Sequence, residues 1–179
     1  MADRPETDPD SRRILWAPWR ISYIENCDRT TGCIFCEKPG EDKDRENLIV
    51  VRGETAFVIM NRYPYNNGHL MIVPYRHTSD PDSFSEMEKS ECFDLLTASQ
   101  QVLEQVMHPH GYNIGMNIGR VAGAGIADHL HYHLVPRWDG DTNFMPILGH
   151  AKVVSEGLEQ TWEKLHKAFI TFTTRQEKP

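Results

Sequence analysis

At 179 residues the chain suits one domain with a real hydrophobic core, and 39% apolar with 25% charged residues is ordinary for a globular protein. A net charge of −7 with no basic run argues against sequence-independent nucleic-acid binding. No apolar run approaches the ~18 residues of a membrane span, and "MADRPETDPDSRR" lacks a signal-peptide core, so a cytoplasmic protein without a membrane partner is expected.

Residues 1–12 read as a disordered, charged tail. An arm follows over 13–30. Its "LWAPWR" carries Trp16 and Trp19, which are too apolar for a free tail and are expected to pack on the body or on a partner subunit. Residues 31–179 read as a single domain ending in a C-terminal helix. "GCIFCEKPGEDKDREN" (32–47) is a cysteine knuckle followed by a charged loop or short helix. "NLIVVRGE" and "TAFVIMN" form a hairpin signal around a Gly-Glu turn. "RYPYNNGH" is turn chemistry, and "HLMIVPY" is a third strand.

The stretch "DPDSFSEMEKSECFDLLTASQQVLEQVMHPHG" predicts a helix capped by Asp82, Ser83 or Ser85. Phe93, Leu96, Ala98, Val102, Leu103 and Val106 make its apolar stripe, and Pro109 and Gly111 end it. "GYNIGMNIG" alternates, with Tyr112, Ile114, Met116 and Ile118 on one face and Asn113, Gly115 and Asn117 on the other. The Gly-rich loop "GRVAGAGIAD" then leads to "DHLHYHLVPRW" (128–138). There His129, His131 and His133 share one strand face, while Leu130, Tyr132 and Leu134 point to the core. "SEGLEQTWEKLHKAF" predicts a last helix. The order β-β-β-α-β-β-α implies an α+β fold on an antiparallel sheet.

Three imidazoles on one face are a working surface. A neutral imidazole is a good nucleophile when its other nitrogen is held by an acceptor, and neighbouring imidazoles can protonate a leaving oxygen. The Gly-rich loop, including Gly123 and Gly125, offers backbone N–H groups to a phosphate, and Arg120, Arg137 or Asn117 could add donors. The set suits attack on phosphorus through a covalent histidine intermediate. A three-histidine metal site fits less well, because alternation spaces the rings ~6–7 Å apart. Four cysteines in a cytosolic chain favour metal ligands or free thiols over disulfides. Cys33-x-x-Cys36 is half a zinc site, and His77 and the strand histidines are the candidates to complete it.

The motifs also carry a resemblance. "HLHYHLV" resembles the His-φ-His-φ-His-φ-φ signature of the histidine triad (HIT) superfamily, and "NRYPYNNGHLMIVPYRH" resembles its upstream signature. "CIFC" is similar to the zinc knuckle of many bacterial members. With "LWAPWR" and "HLHYHLVPRWDGDTNF", the chain resembles the bacterial diadenosine tetraphosphate phosphorylase, ATP adenylyltransferase-like branch. This implies a five-stranded antiparallel sheet with helices packed on it, continued across a homodimer. It implies nucleotidyl transfer or hydrolysis on an adenine dinucleoside polyphosphate, related to AMP, ADP and ATP, with water or inorganic phosphate as acceptor.

The resemblance makes His131 the nucleophile and His133 the residue at phosphate and leaving group, with His69 supporting the triad. It places Asn61 at the ribose, Asn117 at phosphate and Trp138 near the nucleotide. Cys33, Cys36, His77 and His129 become ligands of a structural zinc, with His129 either ligand, catalytic group or both. One departure stands out. Many relatives carry Gly-Gln-Ser/Thr-Val before the first histidine, whereas this chain has "AGIAD" with Gly125 and Ile126. The alternatives are a nucleoside phosphoramidase or adenylyl-adduct hydrolase and, outside enzymes, a zinc-stabilised nucleotide-binding module.

Overall fold

The computed structural model describes residues 32–142 and 155–176. The expected tail and the arm with Trp16 and Trp19 lie outside the described residues. Two short helical turns come first, α1 (Ile34–Glu37) and α2 (Asp44–Asn47). Strands β1 (Ile49–Arg52), β2 (Ala56–Met60) and β3 (Leu70–Pro74) follow. Helix α3 (Glu86–Met107), β4 (Gly111–Met116), β5 (Tyr132–Arg137) and α4 (Leu158–Gln176) complete the described elements.

The five strands form one antiparallel sheet in the order β1-β2-β3-β5-β4. Every residue of β2 and β3 is buried, as their unbroken apolar runs require of central strands. Helix α3 packs on β2 and β3 and also meets α4. Ser85 caps α3 in a reciprocal capping box with Glu88, which ties down two amides at the helix start. The helix stops at His108, in a left-handed conformation, just before Pro109. Its core-facing residues include Cys92, Leu96, Ser99, Val102 and Leu103.

Phe93 departs from the expected stripe and is 68% exposed. The 3.6-residue period that seats Cys92, Leu96, Ser99 and Leu103 leaves the position after Cys92 turned about 100° away. Helix α4 is fixed to the edge strand by two side chains: Trp162 Nε1–H donates to the Ile49 carbonyl at 2.8 Å, and His166 Nδ1–H to Val50 at 2.7 Å. Among the described residues no helix is long and apolar enough to cross a membrane.

The β4–β5 pair forms as its alternation predicts, with Gly115 opposite His133 and Ile114 opposite Leu134. The histidine run, however, is only partly strand. β5 begins at Tyr132, so His129 and His131 lie on the connection leading into it. That connection is tied to the body by the Leu130 amide, which donates to the Thr78 carbonyl at 2.8 Å. Leu130 and Leu134 are buried as expected.

Candidate active site and metal cluster

The three histidines separate into two sites. His129 is fully buried and turns toward the knuckle. Its Nε2–H donates to the Pro74 carbonyl at 2.8 Å, since a carbonyl can only accept. The neutral ring then has a bare Nδ1. That atom stands 3.2 Å from Cys33 Sγ, 3.5 Å from Cys36 Sγ and 3.2 Å from His77 Nδ1. All four ligand atoms lie within 4.8 Å of one another. Two thiols and two imidazole nitrogens so gathered are a donor set that could hold a metal ion. The Pro74 carbonyl supplies the outer contact that orients a ligating histidine. Partial burial and the adjacent Cys33 push the Cys36 thiol up to about 11, so a cation is what would make it a thiolate.

His131 makes the opposite choice. Its Nδ1–H donates to the His129 carbonyl at 2.9 Å, which leaves the lone pair on Nε2. Burial holds its pKa below the ordinary histidine value, against the raising effect of that hydrogen bond, so the ring is neutral near pH 7. Phe35 packs between the two sites, with ring centroids 5.4 Å from His129 and 4.9 Å from His131. The hydrophobic residue inside Cys-x-x-Cys therefore seats both histidines.

His133 belongs to a second chain of hydrogen bonds. The Tyr65 amide donates to His69 Nδ1 at 3.1 Å, so the His69 proton is on Nε2. That proton is donated to His133 Nδ1 at 3.0 Å. His133 must then carry its own proton on Nε2, the nitrogen 3.4 Å from Asn117 Nδ2. Two donors cannot bond each other, so this tautomer requires the Asn117 amide turned by half a turn, with Oδ1 accepting from the His133 Nε2–H. His69 is held well below the usual histidine range, first by burial and then by His133 and His131. The rings of His131 and His133 are 4.7 Å apart, nearly perpendicular. A bare Nε2 and a protonated Nε2 thus sit side by side, a lone pair beside a hydrogen-bond donor.

Both rings line a cavity of about 280 Å³. Ile34, Phe35, Ile59, Met60, Met71 and Ile126 give it apolar walls. Asn61, Gly123 and Gly125 also line it, where the sequence motifs put them. Asn117 reaches the site through His133. Trp138 does not line this cavity. Its indole N–H donates instead to the carbonyls of Met107 and His108 at 3.3 and 3.2 Å, satisfying the C-terminal end of α3. The chain past β5 is held there by Asp141, which accepts from Arg137, from Asn66 and from the Trp138 amide. These bonds hold the indole against the end of α3, where Trp138 lines a second cavity together with Asn66, Asn67 and Asp141.

A HIT domain family model matches residues 42–140. The chain belongs to the HIT family. It is 38% identical over 167 residues to the AP-4-A phosphorylase of Mycobacterium tuberculosis, covering 89% of this chain and 85% of that one. Among solved structures, a Zn-bound histidine triad family protein from Mycobacterium smegmatis superposes with a TM-score of 0.65 at 21% identity, covering 80% of this chain and 97% of that chain. A hypothetical histidine triad nucleotide-binding protein from Sulfolobus tokodaii gives 0.62 at 25% identity, over 82% and 95%. The matched span begins after the knuckle, so Cys33 and Cys36 lie outside the family domain while His77 and His129 lie inside it.

Sequence reasoning missed four contributors: Phe35, Tyr65, Lys38 and the Pro74 carbonyl. Phe35 and Lys38 were legible only as neighbours of the cysteines. Tyr65 acts through its amide and through its ring, which packs 4.6 Å from the His69 ring, whereas Pro74 acts through its carbonyl, and backbone groups leave no residue signal.

Proposed function

We propose that this HIT protein is a nucleotide-processing enzyme that cleaves dinucleoside polyphosphates through a nucleotidyl-His131 intermediate, with diadenosine tetraphosphate phosphorolysed to ATP and ADP. The observation that carries it is the tautomer pair: His131 is held with Nε2 bare, beside His133 held with Nε2 protonated. His131 Nε2 attacks an α-phosphorus, the P–O bond to the leaving nucleotide breaks with its electron pair going to the departing phosphate oxygen, and the His133 Nε2–H donates a hydrogen bond to that oxygen. Inorganic phosphate then attacks the same phosphorus and releases ADP from the histidine. The nucleoside takes the apolar cavity, with Asn61 at the ribose and the Gly123–Gly125 loop and Asn117 at phosphate.

Cys33, Cys36, His77 and His129 would hold a structural zinc ion, which crosslinks the knuckle to the histidine run and does no chemistry on the substrate. The reading includes a homodimer joined along β4. That strand is a sheet edge, and Ile114, Ile118 and nearby Val121 expose apolar surface beside it.

The test is diadenosine tetraphosphate with and without phosphate. Phosphate-dependent ATP plus ADP supports the reading, together with an adenylylated His131 peptide in a rapid acid quench. AMP plus ATP at an unchanged rate makes water the acceptor. AMP binding without turnover reduces the protein to a binding module.

A further inference from the structure

We infer that Lys38 reads the nucleobase, its ammonium donating a hydrogen bond to a ring nitrogen of the bound purine. The inference rests on the nucleotide reading of the cavity and goes beyond it by assigning base selectivity to one side chain of the knuckle.

Two of the residues lining the cavity are cationic, Lys38 and Arg62. Arg62 is engaged, its guanidinium donating to the Glu46 carbonyl at 3.0 Å. Lys38 is half-buried and feels the Glu41 carboxylate, which already accepts from Asn47, yet among the described residues its ammonium has no hydrogen bond or ion pair of its own. Its backbone is fixed by a tight turn over Lys38–Gly40, in which the Lys38 carbonyl accepts from the Glu41 amide at 3.1 Å. A cation at an apolar wall without an acceptor is costly, and a ligand acceptor removes that cost.

Position selects which part of the ligand supplies it. His131 marks the attacked phosphorus. Asn61, proposed for the ribose, is followed directly by Arg62, and Lys38 feels the Arg62 charge. The two cations therefore belong to the ribose and base side of the cavity. There adenine offers N1, N3 and N7 as acceptors. An ammonium has donors only, so it can bond any of these nitrogens but not an exocyclic amine. Lys38 also lies before residue 42, where the HIT domain match begins. The selectivity is thus carried by the segment that bears the two cysteines.

The test is calorimetric titration of the metal-loaded full chain with AMP, 1-deaza-AMP, 3-deaza-AMP, 7-deaza-AMP and ribose 5-phosphate. It is repeated with Lys38→Met and, as a second neutral variant should that one fail to fold, with Lys38→Gln. One deaza analogue should bind the wild type about tenfold more weakly than AMP. That difference should vanish in the variant, with ribose 5-phosphate binding unchanged. An analogue series unaltered by the substitution overturns the assignment. Equal weakening of AMP and ribose 5-phosphate overturns it too, by making Lys38 a phosphate contact. A wild type that binds none of the nucleotides overturns the nucleotide reading itself, and this inference with it.

Discussion

His129 and His131 are two residues apart, carry the same side chain and are both buried, yet they face different groups. His129 gives its Nε2 proton to Pro74 and points Nδ1 at two thiols and an imidazole. His131 gives its Nδ1 proton to the His129 carbonyl and keeps Nε2 free beside His133. The functional difference lies in which ring nitrogen meets a backbone carbonyl. A histidine's role is thus written as much in the carbonyl behind it as in the residue itself.

The sharpest way to break this comparison is to remove each ring in turn. His131→Gly should lower kcat by about 10⁵-fold or more while metal content and circular dichroism stay as in the wild type. Single-turnover kinetics with diadenosine tetraphosphate measure this, and residual activity within tenfold of wild type would end the nucleophile assignment. His129→Ala should do the reverse. Metal stoichiometry should fall from about one per chain to near zero, and stability by several kcal/mol in guanidinium unfolding. A variant that keeps its metal would remove His129 from the ligand set.

A smaller effect is expected behind His133. His69→Leu removes the donor that fixes the His133 tautomer, so kcat should drop about 10²-fold with little change in KM. An equal rise in KM would make His69 a binding residue instead.

The smallest effect is on pH. The folded pKa of His69 lies below its unfolded value near 6.5, so the folded state resists its protonation. Stability is then complete above about pH 6.5 and is lost as pH falls toward the folded pKa. Urea midpoints at pH 7.5 and 5.5 should differ by about 1 kcal/mol or more of stability, and His69→Gln should show a shallower loss. Identical slopes would show that His69 gains no protons on unfolding in this range.

The unbroken apolar runs "AFVIM" and "LMIVP" stated two buried strands, and "SFSEME" stated a capped helix start, because burial and capping are local demands on residue type. The alternation in "GYNIGM" predicted a strand pairing with the histidine run, and it pairs with the His133 end of that run. The Cys-x-x-Cys spacing announced a metal site, and the resemblance named His77 and His129 to complete it. Phe93 was misread because one apolar residue beside the helical stripe looks like part of it until the sheet takes its place. The position of Trp138 was not legible, because the carbonyls that hold its indole lie at the end of α3, some 30 residues earlier.

The sequence by itself determined the elements, the sheet's buried centre and the set of chemically active side chains, since these follow from periodicity and residue type. Only the tertiary structure decided the division of labour among the histidines. Period-two alternation put all three on one face, but β5 starts after His131, and the connection before it is tied to Thr78. That frees His129 to turn toward Cys33, Cys36 and His77 while His131 stays with His133. The choice of tautomer at each ring was fixed by carbonyls and amides of Pro74, His129 and Tyr65, groups that every residue carries and that acquire a role only when the fold brings them within hydrogen-bonding distance.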